Sequence, residues 1–141
     1  KGQYMFADLL RWAARYEVGF NWPPVFPVSS ITAHRVFLVA QRDLSEEEAK
    51  KALLSIYTAY WADGVDISDK DALAGHLTGA GFDGQALLEG TQDPAIKEQL
   101  KTLTAEAVER NVFGAPTFFV EQQMFWGNDR LDFLVEAYNA L

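Results

Sequence analysis

Apolar positions recur at helical spacing through most of this chain, and the period changes only near its C-terminal end. From Gln3 to Tyr16 the residues Tyr4, Met5, Leu9, Trp12, Ala13 and Tyr16 form one stripe, with Gly19 as the expected stop. The segment FNWPPVFPV follows, and its Pro23, Pro24 and Pro27 predict an extended, helix-free strap. The strap presents Phe20, Trp22 and Phe26, either packed over a core or as the wall of an aromatic pocket. A second helix opens at Ser29 or Ser30 and runs to about Asp43. Ser45 and Glu48 have capping-box spacing and start a longer helix to about Ala62. Its wide apolar face is Ala49, Ala52, Leu53, Ile56, Tyr57, Tyr60 and Trp61. The acidic run Glu46-Glu47-Glu48 falls in the first turn, where the helix dipole favours negative charge, so no catalytic carboxylate pair is needed to explain it.

Ser68 and Asp71 are expected to open a short helix carrying Ala72, Leu73 and Leu77. Gly79, Gly81 and Gly84 then break the chain around Phe82, and a brief helical turn covers Ala86, Leu87 and Leu88. Asp93 and Pro94 match an N-cap and first-turn pair. The helix they start reaches about Arg110, with Ile96, Leu100, Leu103, Ala107 and Val108 inward. Thr117–Val120 and Gln123–Trp126 read as two short strands. Their turn, Glu121-Gln122-Gln123, lacks the Gly or Asp-Gly usual there, which predicts a less regular hairpin. Gly127 ends the second strand, and Asn128 or Asp129 caps a last helix holding Leu131, Phe133, Leu134, Ala137 and Tyr138.

A length of 141 residues suits one ordinary domain or two small interdependent ones, and 49% hydrophobic residues with 13% aromatics supply a core rather than disorder. The net charge of −8 argues against nucleic-acid binding but leaves room for a small anion held by local positive potential. No apolar run reaches the roughly 18 residues of a membrane helix, and the first residues show no signal-peptide layout. There is no cysteine. That removes disulfides and Cys-x-x-Cys chemistry and is compatible with a cytoplasmic setting. His34 and His76 each stand on a helix without a second ligand at metal spacing, so packing is the expected role and no metal site is expected.

The candidate chemistry gathers between Val112 and Leu131. Pro116 enters a strand, a place where a cis peptide bond usually serves a purpose. Such a bond turns the Ala115 backbone N–H and C=O outward, ready to pair with an extended peptide-like ligand. Downstream, Trp126-Gly127-Asn128-Asp129 sets free N–H groups at a helix start for a ligand carboxylate, with Asp129 available to a ligand ammonium. The two elements together describe a receptor for a zwitterionic peptide; taken separately, they are a turn and a cap.

The strings NVFGAPTFFV and MFWGNDRLDFL resemble the C-terminal half of the 2-hydroxychromene-2-carboxylate isomerases, and YMFADLLRWAARYEVGFNWPPVFPV resembles their helix and proline strap. Those enzymes belong to the DsbA-like, kappa-class glutathione transferase branch of the thioredoxin superfamily. The resemblance implies an α/β protein, mostly helical over this stretch. Residues 1–90 would be a DsbA-like helical insertion domain, and residues 91–141 the C-terminal half of a thioredoxin-like domain, a β-hairpin with flanking helices. It also implies that Ala115 and Pro116 bind the glutathione backbone and that Trp126, Gly127, Asn128 and Asp129 hold its glutamyl end. Lys1 and Ser29 would line the pocket of a small aromatic carboxylate, although an Asn is common in the family where Ser29 stands.

Family members begin with a strand, a helix and a second strand, with a serine facing the glutathione sulfur. That serine is expected before Lys1, so no catalytic residue is assigned within this chain. The implied activity is a glutathione-dependent cis–trans isomerisation in aromatic-compound degradation, carried out by a cytoplasmic homodimer. In it the thiolate adds to the conjugated substrate, allows rotation and leaves. The alternatives are a kappa-class-like glutathione transferase, a DsbA-type thiol-disulfide oxidoreductase with its Cys pair in the front, and a non-catalytic helical binding module. Without a neighbour, the strand at Thr117 would offer a bare edge that associates with another copy or recruits a missing piece.

Overall fold

Seven α-helices and one two-stranded sheet form in this computed structural model, which describes residues 2–141. They fall into two units, Lys1–Leu100 and Lys101–Leu141. The first unit contains helices and an extended strap, with no strand among the described residues. Helix α1 covers Gly2–Arg15. It stops before Gly19, because Glu17 takes a left-handed conformation at φ 54°. There the N–H of Val18 donates to Ala13 O (3.0 Å) and that of Glu17 to Ala14 O (3.3 Å). This is the Schellman pattern, and it satisfies the last carbonyls before a glycine is reached.

The proline strap is extended, as its composition demands, and it is tied to the C-terminal end of the helix that ends at Trp61. Asn21 donates from its backbone N–H to Trp61 O and from its side chain to Ala62 O, both at 2.6 Å. The Tyr60 hydroxyl donates to Val25 O at 2.9 Å. Pro23 is fully buried, and the Phe26–Pro27 peptide bond is cis.

Helix α2 runs Ile31–Asp43 and α3 runs Glu46–Trp61. The capping box at Ser45 and Glu48 is present with both of its bonds. Helix α4 is Lys70–Gly79. Its cap is Asp69, which accepts from Asp71 N and Ala72 N, in place of the expected opening at Ser68 and Asp71. Ser68 is occupied elsewhere, since its N–H and hydroxyl both donate to the Asp66 carboxylate. Helix α5 covers Gly84–Gly90 and α6 covers Pro94–Glu109, the latter opened by Asp93 accepting from Ala95 N at 2.8 Å.

The core of this unit is the meeting of α2, α3, α4 and α5, where Val36, Val39, Leu73 and Leu77, with Ile96 of α6, lose essentially all exposure. The hydrophobic effect at roughly 25 cal/mol per Å² of buried apolar surface acts mainly here. Helix α6 departs from its expected inward stripe. Ile96 is buried and Leu100 half-buried, but Leu103 and Val108 are exposed. The apolar spacing continues past the point where the helix has a core to pack against.

The second unit holds strands β1 (Thr117–Val120) and β2 (Gln123–Trp126) and helix α7 (Leu131–Asn139). The strands are antiparallel in the register Thr117↔Trp126, Phe118↔Phe125, Phe119↔Met124 and Val120↔Gln123. That register leaves Glu121 and Gln122 as the connecting pair, with Glu121 at φ 50° doing what a glycine usually does. Helix α7 packs against both strands. Among the described residues the sheet has no third strand, so the outer edge of β1 is unpaired.

Candidate functional site

The cis-proline turn and the start of the last helix lie side by side because the hairpin register puts them there. Thr117 pairs with Trp126, and one step further the Gly127 N–H donates to Pro116 O at 2.9 Å. Chain segments separated by a full hairpin therefore share one end of the sheet. The Ala115–Pro116 bond is cis. Ala115 and Pro116 are exposed, and among the described residues neither the N–H nor the C=O of Ala115 has a partner. A strand-like donor and acceptor thus face outward at the mouth of β1.

Trp126 closes the other side of this turn. Its ring meets Phe113 edge-on, with centroids 5.1 Å apart, and a side chain at Gly114 would come within 2.5 Å of the indole nitrogen. Gly114 is therefore a close-approach glycine, and its carbonyl is fixed by the Thr117 hydroxyl at 2.6 Å. On the same face as Trp126, Phe119 lies under the Arg110 guanidinium, 3.4 Å from the ring centroid. Arg110 follows α6, which ends in a second Schellman turn at Asn111, φ 59°.

The helix start differs from a simple cap. Asn128–Arg130 form a 3-10 turn, α7 begins at Leu131, and its N-cap position is Arg130 with no side-chain cap bond. Neither Asn128 nor Asp129 caps it, since the 3-10 turn carries both past the geometry a cap requires. The Gly127 N–H is also not free, because the sheet ladder uses it. The N–H groups of Asn128 and Asp129 do remain without a partner among the described residues, and they open the first turn. Gly127, at φ 105°, brings this turn back over the sheet end, and a Cβ there would lie 2.6 Å from Asp129 Oδ1.

Asp129 Oδ2 accepts from Arg130 at 2.8 Å, which leaves Oδ1 as the oxygen turned toward Gly127. Two uncommitted donors, one carboxylate oxygen and one adjacent guanidinium thus sit at the same sheet end as an open backbone pair. An anion next to the N–H groups and a cation next to Asp129 are what such a constellation favours. Phe113, Thr117 and Arg130 were not singled out from the sequence. The Arg in the FWGNDR string was the one available signal. Ser29 is exposed in the segment leading into α2, within the first unit, and Lys1 lies outside the described residues.

A thioredoxin-type hairpin entered by a cis-proline, joined in one chain to a helical unit, defines a class. The chain belongs to the DSBA-like thioredoxin domain family, which matches residues 1–139. Within it, the chain is 38% identical over 138 residues to a 2-hydroxychromene-2-carboxylate isomerase of Sphingobium xenophagum, covering 98% of this chain and 68% of that protein. A 2-hydroxychromene-2-carboxylate isomerase of Pseudomonas putida is 32% identical over 143 residues, covering 100% and 67%. Glutathione S-transferase kappa 1 of Homo sapiens is 28% identical over 146 residues, covering 95% and 64%. A solved 2-hydroxychromene-2-carboxylate isomerase structure superposes with a TM-score of 0.77 at 28% identity, covering 98% of this chain and 66% of that one. The chain is thus a member of an enzyme family and spans about two thirds of the length of these relatives.

Proposed function

We propose that this chain carries the glutathione cradle of a glutathione-dependent isomerase acting on 2-hydroxychromene-2-carboxylate or a similar aromatic acid. The observation that carries the reading is the adjacency of the open Ala115 backbone pair to the unpartnered N–H groups of Asn128 and Asp129. The donor set fits glutathione group by group. Ala115 would pair with the tripeptide backbone as a neighbouring strand would. The glutamyl carboxylate would take the two N–H groups, and Asp129 Oδ1 would accept from the ammonium. Trp126, held against Phe113 and Gly114, would wall the ligand at the sheet end. When bound, glutathione supplies the thiol nucleophile, and this chain's residues bind and orient it.

The relatives' names support the isomerase reading, and the human relative's name supports glutathione as the partner. The same relative favours a second reading, transfer of glutathione to other electrophiles, which uses the same cradle. A cytoplasmic homodimer with residues 1–90 as insertion domain completes the proposal.

Calorimetric titration with glutathione tests it. The expected result is saturable heat that weakens roughly 10-fold in Asp129→Asn, the size of one lost charge-assisted hydrogen bond. Asp129 and Arg130 form an exposed pair worth at most about 1 kcal/mol, so this variant keeps its fold. No heat with the parent chain, or unchanged affinity in Asp129→Asn, would count against the cradle.

A further inference from the structure

The carbonyls of Gly114, Ala115 and Pro116 lead into β1, and they have different fates. Gly114 O accepts from the Thr117 hydroxyl at 2.6 Å, and Pro116 O accepts from the Gly127 N–H at 2.9 Å. Ala115 O, between them, has no partner among the described residues, and neither has the Ala115 N–H. The bond to Pro116 O continues the ladder of the hairpin. The bond to Gly114 O comes from a side chain, and the ladder does not require it.

The peptide unit that carries the Gly114 carbonyl also carries the Ala115 N–H. That unit is trans, hence planar with the two groups pointing in opposite directions. Whatever holds the Gly114 oxygen therefore aims the Ala115 N–H. The local chain sets that aim weakly. Position 114 has to be glycine, because a Cβ there would lie 2.5 Å from Trp126 Nε1. Glycine restricts its own backbone less than any other residue. The residue that admits the indole thus frees the peptide plane that bears the donor.

We infer that Thr117 is a positioning residue of the cradle: its hydroxyl, through Gly114 O, holds the Ala115 N–H in the direction a strand-like peptide ligand needs. The inference rests on the glutathione reading and adds a residue that acts through the backbone rather than by touching the ligand. Thr117 is half-buried and stands opposite Trp126 in the hairpin. Serine would supply the same hydroxyl. Valine keeps the branched shape that suits a strand and leaves the Gly114 carbonyl to water.

Glutathione titrations of the parent chain, Thr117→Val and Thr117→Ser test this by calorimetry and amide chemical shifts. Thr117→Val should bind roughly 3- to 10-fold more weakly, the range of one neutral hydrogen bond, and Thr117→Ser within about 2-fold of the parent. Without ligand, the backbone order parameter of Ala115 should fall in Thr117→Val and stay at the parent value in Thr117→Ser. At saturation the Asn128 and Asp129 amides of Thr117→Val should shift as in the parent, which a general loosening of the fold would not allow. Parent-like affinity in Thr117→Val, an Ala115 order parameter that does not fall, or loss of the parent's far-ultraviolet dichroism in that variant overturns the role of Thr117 alone. No glutathione heat with the parent chain overturns the cradle reading, and the role of Thr117 with it.

Discussion

Replacing Gly90 by alanine tests the packing of the helical unit, because two opposing effects act at that position. In a helix, alanine is favoured over glycine by about 0.5–1 kcal/mol. Yet a Cβ at Gly90 would lie 2.7 Å from Val39 Cγ1 and 3.0 Å from Cγ2. Val39 is 1% exposed, and a β-branched side chain on a helix has little rotamer freedom to yield. Overpacking of this kind costs about 1–3 kcal/mol. The net expectation for Gly90→Ala, the smaller helix gain subtracted, is a change between about zero and about 2.5 kcal/mol of destabilisation, centred near about 1 kcal/mol. Gly75 in α4 supplies the control, since a Cβ there meets nothing within 4 Å. Gly75→Ala should therefore stabilise by about 0.5–1 kcal/mol.

Urea denaturation of both variants reads these numbers directly. The double variant Gly90→Ala with Val39→Ala should be less destabilised than the sum of its parts, with a coupling of about 1 kcal/mol. Equal stabilisation by Gly90→Ala and Gly75→Ala would refute the close approach of α5 to α2.

Two further predictions follow from local geometry. Ser45→Ala should cost about 1 kcal/mol by removing the capping box of α3. The Ser45 hydroxyl and N–H hold the Glu48 carboxyl below the usual carboxylate range. That part of the stability is present above the unfolded value of about pH 4.3 and is lost as pH falls through the folded value. Denaturation midpoints of parent and Ser45→Ala should accordingly converge on acidification, and a gap that widens would contradict the assignment. Gly114→Ala should displace the Trp126 indole from Phe113, at a stability cost of about 0.5–1.5 kcal/mol for the ring pair. Because Trp126 is 52% exposed, the fold accommodates the move, and tryptophan emission should change more than the melting curve does.

The elements with dominant start signals in the sequence were legible from it. Ser45 has Glu48 at capping-box spacing, and Asp93 directly precedes Pro94, signals that outweigh Asp43 and Thr91 two residues upstream, and each caps the helix expected of it. The start of α4 was less readable because Asp66, Ser68, Asp69 and Asp71 all offer cap-like oxygens. Only the tertiary path decides that Ser68 serves Asp66 while Asp69 takes the helix. The end of α1 was legible to within one residue, but its stop was not: a glutamate adopts the left-handed position where a glycine two residues later is the stronger local signal. The stripe of α6 past Leu100 shows the limit of periodicity, which records what a helix could bury rather than what lies beside it.

At the candidate site, the sequence identified the open turn at Ala115 and Pro116 and the helix-start segment beyond Trp126. It did not reveal that the ladder consumes the Gly127 N–H, nor that a 3-10 turn replaces the cap. Both depend on strand register, a long-range property that the hairpin's own four-residue strands settle. The Phe113–Trp126 contact has the same origin, because the register brings residues on opposite sides of the hairpin to one end.

The most direct test of the cradle is amide chemical-shift mapping of the isotope-labelled chain during a glutathione titration. The account predicts saturable shifts concentrated at Ala115, Asn128 and Asp129, with the Trp126 indole N–H following, and little change in the core amides of α2 and α4. Shifts confined to the helical unit, or none at Ala115 and Asn128 at saturating glutathione, would contradict it.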